Sequence, residues 1–308
     1  MTNFLKKVFI FFALIVVIDI ACGFTFEFLK SHAKGGDTQK NYYISEKCKD
    51  DILILGSSRA VRHYDPNIFE DTMNMACYNC GEPGCGIITA YARYCMVEGR
   101  HKPKMVIYEV TPEYDFFKTD DYSKYLGRVR QYANKAEVRN LFIEFGDQLE
   151  GFRLLSNMYK NNSFIVHNIM DNMIKSENNN GYNPLNGVLN PNLQERPLTP
   201  QYAMDSTKLD YIEKLIKKLK KDGIPIYFIV SPKYISQNEA KAQESDYKPI
   251  VELCGHYDIP FINHTYMNNI STDPTLFNDY NHLNRDGAKM FSLAICKEIK
   301  DTFRNIPE

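Results

Sequence analysis

The sequence predicts an α/β fold, a three-layer α/β/α sandwich around a mostly parallel sheet. Two observations lead there, and a third locates a turn. Apolar runs of strand length alternate with longer helical patterns over residues 49–305, as in successive βαβ units. The short runs are almost continuously apolar, as expected where helices cover both sheet faces. The first of them, in DDILILGSSRAVRHYDP (residues 50–66), stops at Gly56, and a glycine there permits a tight strand-to-helix turn.

The chain has 308 residues, 44% of them hydrophobic and 24% charged, enough to bury one substantial core. With 37 basic and 38 acidic residues the net charge is -1, so the broad positive field of a nucleic-acid binder is missing and nucleic acid is not an expected partner.

Residues 1–30 stand apart from that core. Lys6 and Lys7 precede VFIFFALIVVIDIACGFTFEFL, whose ionisable side chains are Asp19 and Glu27. A run of this length reads as an N-terminal transmembrane helix, with the positive end in the cytoplasm and the rest exported. Asp19 opposes this by roughly 2.5 to 3.5 kcal/mol. The alternatives are a cleaved signal peptide with Val8–Ile18 as its apolar region, or a lipoprotein processed near Ile20-Ala21-Cys22-Gly23. Residues 31–48, polar and carrying Gly35-Gly36, read as a linker to a domain beginning at residue 49.

Within the domain, Ile52–Leu55 reads as the first strand and a second ends near Asn79. A helical stripe over Thr89–Val97 leads to a strand at Met105–Val110. Asp205 and Ser206 cap a helix with its stripe at Tyr211–Leu219, and Gly223 stops it before a strand at Ile224–Val230. Lys248–Cys254, a short Ile259–Ile262 run and an amphipathic segment over Gly287–Phe303 follow. A mainly helical insertion or cap interrupts the alternation at about 117–200, with helical stripes near Val138–Leu155. It ends in the polar loop SENNNGYNPLNGVLNPNLQERPLTP, read as either a cleft lining or a surface excursion.

Eight cysteines are spread over the chain. Cys77-x-x-Cys80 with Cys85 and Cys95 lacks the second paired ligand set of a tetrahedral zinc site, so buried hydrophobes or one local disulfide are expected and no metal.

Two stretches carry chemistry. Ligands of open α/β sheets bind at the carboxyl ends of strands, and Gly56-Ser57-Ser58-Arg59 occupies such an end. A serine there can expose its hydroxyl beside its own backbone N–H, as an acyl-transfer nucleophile requires. The alternative is a plain helix cap. A phosphate loop is excluded by the missing second glycine and Lys-Ser/Thr pair. Near the other end, Asp279 and His282 precede the last helix, where a carboxylate can orient an imidazole for acid-base work.

In these two motifs the chain resembles the SGNH/GDSL hydrolases, whose first block is a Gly-Asp-Ser turn and whose last is Asp-x-x-His. Gly56-Ser57-Ser58 matches the first with Ser57 in place of Asp, and Asp279-Tyr280-Asn281-His282 the last. The resemblance implies an SGNH-hydrolase or flavodoxin-like sheet, with Ser58 as nucleophile, His282 as base and Asp279 orienting it. Asn79-Cys80-Gly81-Glu82-Pro83-Gly84 resembles the second block, which makes Gly84 an oxyanion donor beside the N–H of Ser58. The third block should fall in Val110–Asp115, and its Asn is missing. Arg59 is then a candidate replacement donor or substrate anchor, its alternative being a salt bridge to a carboxylate of the cap. The Gly-x-Ser-x-Ala pattern is also similar to the nucleophile elbow of α/β-hydrolases, but a serine after the first strand fits the SGNH order better.

With its anchor, the chain resembles membrane-tethered bacterial SGNH-like proteins of cell-surface polysaccharide export and O-acylation. That implies an extracytoplasmic esterase or O-acyltransferase at the inner membrane, acting on an acylated carbohydrate without a cofactor, with a membrane-bound acyltransferase as a partner. The alternative is an inactive SGNH-like module that binds glycan or scaffolds an export complex.

Overall fold

The computed structural model describes residues 2–118, 122–174, 179–194 and 203–304. In chain order its helices are α1 (Thr2–His32), α2 (Gly36–Tyr42), α3 (Ser58–His63), α4 (Pro66–Met73), α5 (Ile87–Glu98), α6 (Pro112–Asp115), α7 (Tyr122–Gly127) and α8 (Ala136–Phe145). These are followed by α9 (Glu150–Arg153), α10 (Asn157–Asn161), α11 (Ile165–Met173), α12 (Ser206–Lys221), α13 (Gln237–Ala242), α14 (Lys248–Tyr257) and α15 (Arg285–Arg304). The strands are β1 (Ile52–Gly56), β2 (Cys77–Asn79), β3 (Met105–Glu109), β4 (Ile226–Val230) and β5 (Phe261–Asn263). They divide between two compact units, residues 48–121 with 179–308, and residues 1–47 with 122–178.

The first unit is the α/β fold expected from the sequence. Five parallel strands run in the order β2-β1-β3-β4-β5, a doubly wound order whose direction reverses at β1. β1, β3 and β4 are buried along their whole length, so their unbroken apolar character follows from cover on both faces. Ile52, Ile54, Ile107 and Ile229 join Phe291, Ile295 and Ile299 of α15 in one core cluster. On α12, Tyr211, Ile212, Leu215, Ile216 and Leu219 form the buried stripe. Asp205 caps α12 by accepting from the N–H groups of Thr207 and Lys208, and Gly223 follows in the left-handed region at φ +68°.

The second unit is helical and holds α1, α2 and α7–α11. Residues 31–48, read as a linker, are helical over most of their length. They form α2 and a turn of π-helix over Tyr43–Lys47. The Gly-Gly pair is the reason: Gly36, at φ +66°, approaches Asp171 so closely that a Cβ would lie 2.2 Å from its carboxylate, which accepts the N–H of Thr38 at 3.0 Å.

The insertion also divides differently. Residues 122–178 belong to the helical unit, whereas the described part of the polar loop, 179–194, belongs to the sheet unit. Tyr182 and Leu189 of this loop are buried, and Asn79 N–H donates to the carbonyl of Asn180 at 2.8 Å. Over residues 179–194 the loop packs into the sheet unit and is not a surface excursion. Residues 119–121, 175–178 and 195–200 of the insertion lie outside the described residues.

Among the described residues no disulfide joins the eight cysteines, and seven of them are buried. The local disulfide is absent, and the buried thiols act as small core residues.

Candidate functional site

The strand order reverses at β1, and the carboxyl ends of β1 and β3 meet at this switch point, where ligands of open α/β sheets bind. Gly56 ends β1 opposite Glu109 of β3. Its φ of +133° is one that L side chains rarely adopt, and a Cβ there would meet the Glu109 carbonyl at 2.6 Å. Glycine therefore makes the sharp turn, and Ser58 becomes the first residue of α3 with its N–H facing forward from the helix end.

Ser57 is fully buried, and its hydroxyl pairs with that of Thr111 at 2.7 Å. Ser58 is half-buried, and its Oγ lies 2.9 Å from His282 Nε2. His282 Nδ1 is 3.0 Å from both carboxylate oxygens of Asp279. The carboxylate accepts a hydrogen bond from Nδ1–H, which leaves the Nε2 lone pair facing Ser58 Oγ.

The Asp-x-x-His spacing builds this geometry locally. Asp279 Oδ1 accepts the backbone N–H groups of Asn281 at 2.9 Å and His282 at 3.0 Å, so one carboxylate folds the turn and orients the imidazole it carries. Burial raises the Asp279 pKa. The hydrogen bond and charge of His282, with the donors of Asn281 and Asn278, outweigh it and bring the carboxyl to about 2. Asn284 closes the turn, its Oδ1 accepting from Asp286 and Gly287 at the head of α15.

Beneath these three residues lies a buried polar network that the sequence did not reveal. Leu283 N–H donates to His63 Nε2 at 3.0 Å, so His63 carries its proton on Nδ1 and donates to Ser231 Oγ at 2.6 Å. Ser231 Oγ donates to Glu109 Oε1 at 2.8 Å, and the Tyr64 hydroxyl donates to Glu109 Oε2. His63 therefore fixes the backbone directly after His282, and the two rings meet edge to face at 6.1 Å. Burial, and then the charges of Arg59, His282 and Arg62, hold the His63 pKa well below the usual imidazole range, so it stays neutral. The available signal was polar residues closing apolar strands: Glu109 ends MVIYE, and Ser231 follows IYFIV.

Arg59 belongs to this network. It is 3% exposed, its Nε lies 3.1 Å from Glu109 Oε1, and its Nη2 donates to the carbonyl and hydroxyl of Ser231. This corrects the substrate-anchor reading, because a guanidinium held by a buried carboxylate beneath the turn is not free to meet a ligand. Its carboxylate partner lies on β3 and not in the cap.

The second-block residues line the neighbouring loop. Glu82 N–H donates to the Gly56 carbonyl at 2.9 Å, which seats the loop against the end of β1. Asn79 is buried, with its amide bound to the carbonyls of Ala60 and Tyr64. Buried Arg93 of α5 holds the carbonyls of Cys80 and Gly81 at 2.6 and 2.7 Å. Gly84 lies at φ +71° with open space around its α-carbon.

In the third block, Thr111 pairs with Ser57 and Asp115 turns inward. The Asp115 carboxylate accepts from the Tyr108 hydroxyl at 2.6 Å and the Thr111 N–H at 2.7 Å, and burial pushes its pKa up to about 7. The polar loop reaches the turn that carries His282: Gly187 N–H donates to Asn278 Oδ1 at 3.2 Å, and the Tyr280 hydroxyl donates to the Gln194 carbonyl at 3.3 Å.

No family model and no curated protein matches the chain. Among solved structures, it is similar to a candidate acylhydrolase from Bacteroides fragilis, at 12% identity and a TM-score of 0.41, over 86% of this chain and 94% of that one. A family two carbohydrate esterase from Clostridium thermocellum matches at 11% and 0.41, over 83% of this chain and 64% of that one. A GDSL-like lipase from Bacteroides thetaiotaomicron matches at 11% and 0.37, over 82% and 88%.

Proposed function

We infer that the chain is a serine esterase or O-acyltransferase of the SGNH type, anchored in the membrane and acting outside the cytoplasm on O-acyl groups of a cell-surface glycan. The observation that carries the chemistry is the continuous line from Ser58 Oγ to His282 Nε2 and from His282 Nδ1 to Asp279. It supports a nucleophile, a base and an orienting carboxylate in hydrogen-bond order. Ser58 Oγ attacks the acyl carbonyl and passes its proton to His282 Nε2, while the Asp279 charge stabilises the imidazolium. The N–H groups of Ser58 and Gly84 are the proposed donors to the oxyanion. His282 returns the proton to the leaving alkoxide, and water or a sugar hydroxyl then takes the acyl group from Ser58.

The glycan substrate rests on the resemblance described above. Retention of α1 as an anchor is supported by its contacts within the helical unit: Phe26 and Lys30 are buried there and Asp19 is bound there, so cleavage would remove part of that unit. Membrane-bound chain that resists carbonate extraction is the expected result, and release by carbonate would oppose the anchor.

A non-catalytic glycan-binding module is the second reading, favoured by a third block that supplies no side-chain amide. Hydrolysis of p-nitrophenyl acetate by the full chain in detergent separates the two. Turnover lost in Ser58→Ala and in His282→Ala is expected of the enzyme. Equal rates in all three proteins would overturn it.

A further inference from the structure

The helical unit carries its polarity inside out. On α11, Asn168 and Asp171 are buried. Asn168 accepts from the Thr38 hydroxyl at 3.1 Å and donates to Gln131 Oε1 at 3.0 Å. The opposite face, Val166, Ile169, Met170 and Met173, is 47 to 81% exposed. Those four positions follow i, i+3, i+4, i+7 and form one stripe about 100° wide, which in a water-soluble domain faces the core. Before α10, Leu149, Phe152 and Leu155 are 61 to 75% exposed.

Asp19 says what covers these faces. Its carboxylate accepts from the Ser156 hydroxyl at 2.6 Å and from the N–H groups of Asn157 at 2.8 Å and Met158 at 2.9 Å. Gly23, one turn further along α1, packs so tightly on Asn157 that a Cβ would lie 2.7 Å from its amide nitrogen. The start of α10 is thereby fixed at the level of Asp19. At about 1.5 Å per residue, Asp19 lies about 18 Å past Lys7 and about 12 Å short of Glu27. In an apolar layer about 30 Å thick, that level is within the outer half of the bilayer. Of the charged groups in this stretch, Arg153 is joined in ion pairs with Asp147 and Glu150, and Lys160 of α10 interacts electrostatically with Asp19.

We propose that α9–α11 are a membrane-inserted lobe, seated beside α1 in the outer leaflet with Phe152, Leu155, Val166 and Met173 against the acyl chains. The proposal rests on the anchor reading of α1. Asp19 then lies within the membrane as the acceptor for the first turn of α10, and does not face lipid as an isolated charge. The lobe holds the chain to the leaflet by more than a single helix.

The chain contains no Trp, so single-Trp variants report without background. The full chain is reconstituted in phosphatidylcholine–phosphatidylglycerol vesicles with plain or brominated acyl chains, carrying Phe12→Trp in the anchor, Phe152→Trp or Met173→Trp in the lobe, or Lys248→Trp as an exposed control. The proposal expects bromolipid to reduce emission at least about twofold for Phe12→Trp and for both lobe variants, and to leave Lys248→Trp unchanged. Quenching of Phe12→Trp without either lobe variant overturns the inserted lobe and leaves the anchor standing. No quenching at Phe12→Trp overturns the anchor and the lobe together. Lobe residues unquenched in vesicles but shielded from acrylamide in native membranes identify a protein as the occupant and overturn the lipid assignment.

Discussion

In the sheet unit, Ile52, Ile54, Ile107 and Ile229 are fully buried, and polar side chains such as Ser57, Glu109 and Ser231 enter the interior at strand ends. In the helical unit Thr38, Asn168 and Asp171 are buried, while Val166, Met170 and Met173 face outward. In each unit these buried polar side chains are hydrogen-bonded. The difference lies in what covers the outside. Apolar surface buried against apolar surface stabilises the sheet unit by roughly 25 cal/mol per Å², a gain the exposed stripe of α11 cannot have in water. The contrast teaches that buried polarity gathers at the strand ends in one unit and along a helix face in the other.

The strongest way to break this contrast is chemical. Ser58→Ala or His282→Ala should lower ester turnover on the order of 10³-fold or more, and Asp279→Asn on the order of 10² to 10⁴-fold, measured as kcat/KM on p-nitrophenyl acetate. Comparable losses from changes confined to the helical unit would mean that the chemistry is not where Ser58 and His282 meet.

Next in size is the network under the site. Glu109→Ala leaves Arg59 buried without its carboxylate partner and should cost about 3 to 5 kcal/mol in denaturant unfolding. A cost under about 1 kcal/mol would show that the network is dispensable to the fold.

The two carboxyls flanking the site pull stability in opposite directions with pH. The folded Asp115 value of about 7 exceeds its unfolded value of 3.8, so the folded chain holds a proton there that the unfolded chain has released. Stability therefore falls between about pH 4 and pH 7, by at most about 1.4 kcal/mol per pH unit from this group. Asp279, depressed to about 2 from 3.8, contributes above pH 3.8 and loses that contribution as pH falls through 2. Melting temperatures of wild type and Asp115→Asn from pH 4 to 8 test the first slope, which should flatten in the variant.

In the helical unit, Asp19→Ala removes the acceptor for Ser156, Asn157 and Met158. By analogy with a lost helix cap it should cost about 0.5 to 2 kcal/mol, read as faster proteolysis of residues 122–174. Smallest on catalysis, Phe152→Ser should leave kcat/KM within about twofold while weakening retention on vesicles. A large fall in kcat/KM would tie that exposed surface to the chemistry.

Much of the sheet unit was legible in the sequence because its physics is local and periodic. β1, β3 and β4 appear as apolar runs, and the Asp205 cap with the 211–219 stripe set α12. The pairing of Ser58 with Asp279 and His282 was an expectation only through the resemblance of the two motifs to the SGNH blocks; what is local is each turn, since Gly56 admits the sharp bend and the Asp279 carboxylate holds the turn that carries His282. Arg59 was misread because its partner Glu109 is distant in sequence and became a neighbour only when β1 paired with β3. His63 stayed hidden for the same reason, since its partners Ser231 and Leu283 come from just after β4 and from the turn before α15.

The sequence by itself determined the alternating α/β order, the apolar N-terminal helix and the two chemical turns, because hydrophobic period, glycine conformation and Asx-type turns act within a few residues. Only the tertiary structure decided that Gly36 packs on Asp171 and does not loosen a linker, that Arg59 is an interior cation, and that Asp19 binds the start of α10. It also decided which face of α11 is inside. A helical stripe states that two faces differ, and the direction is set by what each face meets once distant segments have come together.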